Sequence, residues 1–121
     1  MSKVLIVEDS PVMGELLCSM VEEIDGVDIT LVVDGLAALK QLSLSRFDLI
    51  VTDINMPNVN GLELLSFVKR NSNHVNTPVI IVTTETAAKD RQKGMSLGAD
   101  AYISKPFHRQ QFLDIAQRLI K

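Results

Sequence analysis

A chain of 121 residues, with 46% hydrophobic and 22% charged side chains, suits one globular domain and leaves no room for a second. Basic residues number 12 against 15 acidic, a net charge of −3, which argues against a nucleic-acid binder; 4% aromatics without tryptophan argue against a stacking platform for single strands. The single cysteine, Cys18, cannot form an internal disulfide and fits a reducing compartment.

The first aliphatic run, Val4–Val7, predicts a strand. Glu8 and Asp9 cut it short, so it is neither a signal peptide nor a membrane span, and a cytoplasmic location without a membrane partner is expected. Ser10-Pro11 then opens a helix with a capping hydroxyl and a ring that needs no N–H. Along it Val12, Met13, Leu16, Leu17, Met20, Val21 and Ile24 recur at helical spacing, opposite Glu15, Glu22 and Glu23. Val27–Val33 is the second strand. Asp34-Gly35 alone would signal a hairpin, but the Leu-Ala-Ala-Leu that follows is helical, so it is a strand-to-helix turn. Leu36, Leu39 and Leu42 mark that second helix. Leu49–Val51 is the third strand, and Leu62, Leu65 and either Phe67 or Val68 mark the third helix. Val79–Val82 precedes a fourth helix over about Thr86–Leu97, poor in apolar material (Ala87, Ala88, Met95, Leu97) and ended by Gly98. Ala101–Ile103 is a short, weak fifth strand. The last helix, Arg109–Ile120, turns Phe112, Ile115, Ala116, Leu119 and Ile120 inward.

Most of these runs stay apolar without alternation, as in strands buried on both faces of a parallel sheet. The expected architecture is therefore (βα)5, an open parallel sheet with helices on both faces, in one domain over 1–121 with no output domain in this chain; its strand order is taken as 2-1-3-4-5, a common one for such sheets. Such sheets bind ligands outside the carboxyl ends of their strands. Glu8 and Asp9 follow the first run, Asp53 the third, Thr83 and Thr84 the fourth, and Ser104 and Lys105 the fifth. Three carboxylates that close raise one another's pKa or recruit a cation, and an oxygen-only site open to water and phosphate favours Mg²⁺. One carboxylate can then attack phosphorus, with Lys105 and the Thr83 hydroxyl serving phosphoryl oxygens.

These residues resemble the receiver domain of two-component response regulators, a flavodoxin-like fold, and most of all the stand-alone chemotaxis type. The likeness spans the chain: Val-Glu-Asp-Ser at 7–10, Thr-Asp-Ile-Asn-Met-Pro at 52–57, Gly61, Thr83 and Lys105-Pro106-Phe107. The resemblance implies a signalling switch rather than an enzyme. Asp53 would take a phosphoryl group from a sensor histidine kinase or phosphotransfer protein; Asp9, Asp53 and the Asn55 backbone carbonyl would bind Mg²⁺, with Glu8 assisting. It further implies that Lys105 contacts the phosphoryl group, Thr83 turns toward it, Tyr102 swings as the switch aromatic, and a cis bond precedes Pro106. The downstream partner would dock on the face of helix four, strand five and helix five. Asn55 and Glu85, two positions after the phosphoacceptor and the switch threonine, would orient hydrolytic water, so a short-lived acyl phosphate is expected. Two departures stand out: Ile54, where chemotaxis members often carry Trp, and Thr84, whose bulk would narrow access to the site.

A lone strand-end carboxylate is usually a solvated turn residue, and Lys105 alone an ordinary surface lysine; the set is what argues otherwise. Without the resemblance, Tyr102 reads as a partly buried edge-strand tyrosine. Cys18 reads as an inert thiol, His74 and His108 as exposed bystanders, Met13, Met20 and Met95 as helical core or gap fillers, and Asn71–Asn76 as a polar loop. A flavin carrier of the same topology is disfavoured because Glu8 and Asp9 would repel the flavin phosphate. An aspartyl phosphatase needs a general acid two residues after its nucleophile, where Asn55 has no proton to release. A receiver that dispenses with phosphorylation would be expected to have lost Asp53, Thr83 or Lys105.

Overall fold

In the computed structural model, which describes residues 1–84 and 88–120, strands and helices alternate throughout. They run β1 (Ser2–Val7), α1 (Pro11–Val21), β2 (Val27–Val32), α2 (Gly35–Leu44), β3 (Leu49–Thr52), α3 (Gly61–Arg70), β4 (Val79–Thr83), α4 (Ala88–Ser96), β5 (Ala101–Ser104) and α5 (Arg109–Ile120). All strand pairs are parallel and the sheet order is β2-β1-β3-β4-β5, as expected from the sequence. The expected start of the fourth helix, Thr86 and Ala87, lies outside the described residues.

Alternation of side chains along each strand divides the core in two. Leu5, Val7, Ile50, Val79, Ile81 and Tyr102 face one side, with Ala38 and Leu42 of α2 and Leu64, Leu65 and Val68 of α3. Val4, Ile6, Leu49, Val51, Ile80, Val82 and Ile103 face the other, against Leu17, Met20 and Val21 of α1 and Phe112, Leu113 and Ala116 of α5. β3 and β4 are buried at every position, which is why they show no polar alternation. β2, an edge strand, has no fully buried position and leaves Asp28 and Leu31 exposed.

The helix starts follow their caps. Ser10 Oγ accepts from Met13 N at 3.3 Å, and Asp34 Oδ1 from Ala37 N at 2.8 Å, so Asp34-Gly35 is a strand-to-helix turn. At α3, Asn60 and Glu63 form a reciprocal capping box. Gly61 there is a packing necessity, because a Cβ would collide with the Asp53 carbonyl oxygen. The first turn of α3 therefore lies directly against the end of β3.

Several sequence expectations are corrected. Val12 and Leu16 are 79% and 46% exposed, since a helix on one sheet face buries a single stripe, here Gly14, Leu17, Met20 and Val21. α1 also ends at Val21, leaving Ile24 half-buried in the following turn. Leu36 at the start of α2 and Met95 on α4 are likewise exposed, whereas Val68, not Phe67, continues the buried stripe of α3. His74 is not an exposed bystander: it is buried, and its Nε2 lies 2.9 Å from the Leu42 carbonyl at the C-terminal end of α2. The 71–76 segment is correspondingly ordered by backbone bonds from His74 N and Val75 N to Asn71 O. His108 is exposed, as expected.

Candidate functional site

β1 and β3 are neighbours in register, Val7 opposite Thr52, so the residues that follow them emerge side by side. Asp53 N donates to Val7 O at 3.2 Å, which holds the two strand ends together just where the acidic residues begin. Carboxylate oxygens of Glu8, Asp9 and Asp53 lie within 4.8 Å of one another. Glu8 is buried at 2% exposure and Asp53 at 9%, while Asp9 faces solvent.

Lys105 offsets this charge. Its Nζ donates to Glu8 Oε1 at 2.8 Å and to Asp53 Oδ2 at 3.0 Å, its side chain only 10% exposed. Backbone donors hold the remaining oxygens: Ser10 N to Glu8 Oε2 at 3.1 Å and Ile54 N to Asp53 Oδ1 at 2.6 Å. Burial raises the Glu8 pKa above its ordinary value, and the hydrogen bonds from Lys105 and Ser10 only partly offset this. For Lys105 burial acts downward, yet its hydrogen bonds to Glu8 and Asp53 and their charges prevail, so its pKa is raised and the ammonium persists. Sequence reasoning did not foresee that Lys105 bridges two carboxylates, nor that backbone N–H groups orient them, because such donors carry no residue signature.

The other candidates take their places around this centre. Thr83 ends β4, fully buried and paired in register with Ser104, and its carbonyl accepts from Lys105 N at 2.8 Å. Tyr102 on β5 is 6% exposed, more enclosed than the partly buried edge residue expected from sequence alone. Asn55 is exposed in the β3–α3 loop, Ile54 is buried, and Thr84 is exposed. The Lys105–Pro106 bond is cis. Glu85 lies outside the described residues. Cys18 is remote in function: burial first, and the charges of Glu22 and Glu15 second, raise its thiol pKa, which leaves it a poor nucleophile.

This donor set fits a hard divalent cation. All three side chains offer carboxylate oxygen, the ligand type Mg²⁺ prefers, and exposed Asp9 leaves one side open to water.

The response regulator receiver domain model matches residues 4–117. The chain belongs to that family. It is the receiver domain of a two-component response regulator, a phosphorylation-dependent signalling module. Among solved structures similar to this receiver is the chemotaxis protein CheY4 of Vibrio cholerae, 34% identical with a TM-score of 0.88, covering 98% of each chain. Another is the receiver domain of the sensor histidine kinase PA1611 from Pseudomonas aeruginosa, 30% identical with a TM-score of 0.87 over 98% of this chain and 97% of that one; it carries a magnesium ion in its active site cleft. Among curated relatives, the probable transcriptional regulator ycf29 of Pyropia yezoensis is 37% identical over 118 residues, 98% of this chain and 53% of that protein. The receiver spans about half the length of the first curated relatives it matches. Among its described residues, no helix is long and apolar enough to cross a membrane.

Proposed function

We propose that Asp53 is the phosphoacceptor of a cytoplasmic switch contained in one domain over 1–121, fed by a sensor histidine kinase or phosphotransfer protein. The observation that carries this reading is the clamp of Lys105 across Glu8 and Asp53, beside the open carboxylate of Asp9. A carboxylate oxygen of Asp53 attacks phosphorus, the phosphorus–nitrogen bond of the phosphohistidine breaks, and its electron pair leaves with the imidazole. The backbone N–H of Ile54 and the ammonium of Lys105 each hold one oxygen of Asp53 and orient its carboxylate for that attack. Lys105 then transfers a hydrogen bond from the carboxylates to a phosphoryl oxygen, and the Thr83 hydroxyl turns toward another. Asp9, Asp53 and the Asn55 backbone carbonyl, with Glu8 nearby, would hold Mg²⁺, which would supply the positive charge a dianion needs to approach three carboxylates.

Asp9→Ala is expected to weaken Mg²⁺ binding more than tenfold, and Glu8→Ala less, because both Glu8 oxygens already accept hydrogen bonds. Isothermal titration of the two variants with Mg²⁺ checks the order; equal affinity for wild type and Asp9→Ala contradicts it.

The output face is formed by α4, β5 and α5, where a downstream protein docks; no direct contact with nucleic acid is assigned. α4 has Gly94 as its single buried position among the described residues, so few apolar contacts resist its displacement. Beryllofluoride, a phosphoryl mimic, is expected with Mg²⁺ to shift amide resonances at 8–9, 53–55 and 83 and across 88–120. Shifts confined to the first group would leave Asp53 in place and remove the coupling to the face.

A further inference from the structure

We propose that Arg91 is a positioning residue for Tyr102: its guanidinium, placed over the ring, holds the aromatic inward before any phosphoryl group arrives. The inference rests on Tyr102 as the switch aromatic and names what regulates it.

Tyr102 lies on the edge strand of the sheet, where one side of a large ring is ordinarily left to water, yet it is 6% exposed. Two features of α4 contribute to this. The guanidinium carbon of Arg91 sits 5.5 Å from the ring centroid, within cation–π range. One turn further on, Gly94 lets the helix backbone close over the ring. A Cβ at that position would stand 3.3 Å from Tyr102 Cδ2 and 3.2 Å from Ile81 Cδ1, tighter than ordinary contact. Arg91 itself is exposed, so its plane can lie on the ring while its edge stays hydrated. A lysine would keep the charge and lose the planar stack.

On phosphorylation the Thr83 hydroxyl, drawn toward the phosphoryl group, would leave space that Tyr102 fills by turning inward; with the ring already inward, part of that change is present in the unphosphorylated protein. The output face is therefore partly formed at rest, and Arg91 sets how far.

The chain has one tyrosine and no tryptophan, so intrinsic fluorescence reports Tyr102 alone. Acrylamide, being uncharged, quenches it without attraction to Arg91. Arg91→Gln is expected to raise the outward population, and with it the quenching constant, about two- to fivefold at unchanged far-UV circular dichroism. Arg91→Lys is expected to fall between the two. Gly94→Ala, which presses on the ring without touching the cation, is expected to raise quenching as well. Beryllofluoride with Mg²⁺ is expected to return Arg91→Gln toward the wild-type value. Wild-type quenching in Arg91→Gln overturns the proposal. Raised quenching that beryllofluoride does not reverse upholds the hold of Arg91 on the ring, while removing the link between Tyr102 and Asp53.

Discussion

Lys105→Met is expected to lower the stability of the metal-free protein by about 3 kcal/mol. The ammonium touches two carboxylates that are themselves nearly enclosed, Glu8 at 1% and Asp53 at 11% side-chain exposure. Methionine occupies similar space but returns no charge, leaving two clustered anions with only backbone donors. Removing one member of such a buried set costs far more than losing a surface ion pair, because the remaining charges stay desolvated. Millimolar Mg²⁺ is expected to restore part of the loss, since a cation among the same oxygens replaces the missing one. Affinity for Mg²⁺ is expected to rise in the variant, where the competing ammonium is gone. Urea unfolding with and without Mg²⁺ checks both statements. A variant as stable as wild type without metal would show that the clamp contributes nothing.

Asn55→Met and Glu85→Val are expected to slow decay of the acyl phosphate by roughly tenfold to a hundredfold, the loss of about 1–3 kcal/mol of water orientation in the transition state. Hydrolysis requires water in line with the bond from Asp53 to phosphorus, and exposed Asn55 stands on the loop immediately after that residue. Thr84, exposed just after β4, is expected by its bulk to lengthen the wild-type lifetime somewhat without removing either polar group. The decay of purified phosphoprotein gives the answer directly; unchanged rates in both variants would assign the lifetime to other groups.

The strand ends were legible because β1, β3, β4 and β5 are aliphatic runs stopped by polar residues, so Glu8, Asp9, Asp53, Thr83 and Lys105 could be placed on one edge of the sheet from order alone. What joins them was not legible. That Lys105 spans Glu8 and Asp53 depends on a contact 97 residues apart, and Ile54 N acts through its backbone. Val12 and Leu16 share the apolar spacing of α1, yet periodicity could not say that one sheet face accommodates only the stripe through Leu17 and Val21. His74 failed for the opposite reason. Its polar neighbours argued for exposure, whereas the turn at 71–76 folds its ring under the end of α2. Tyr102 looked half-open because edge strands are, and the covering side chain, Arg91, reads in sequence as one more surface cation on a polar helix.

The central claim, that phosphorus bonds to Asp53, is tested most directly by locating the modification. The protein is incubated with acetyl phosphate and Mg²⁺, and the acyl phosphate is mapped by mass spectrometry in wild type and Asp53→Asn. The expected result is one modified residue, Asp53, in wild type and no modification in the variant. Efficient modification that persists in Asp53→Asn, or that maps to Glu8 or Asp9 in wild type, would contradict the account.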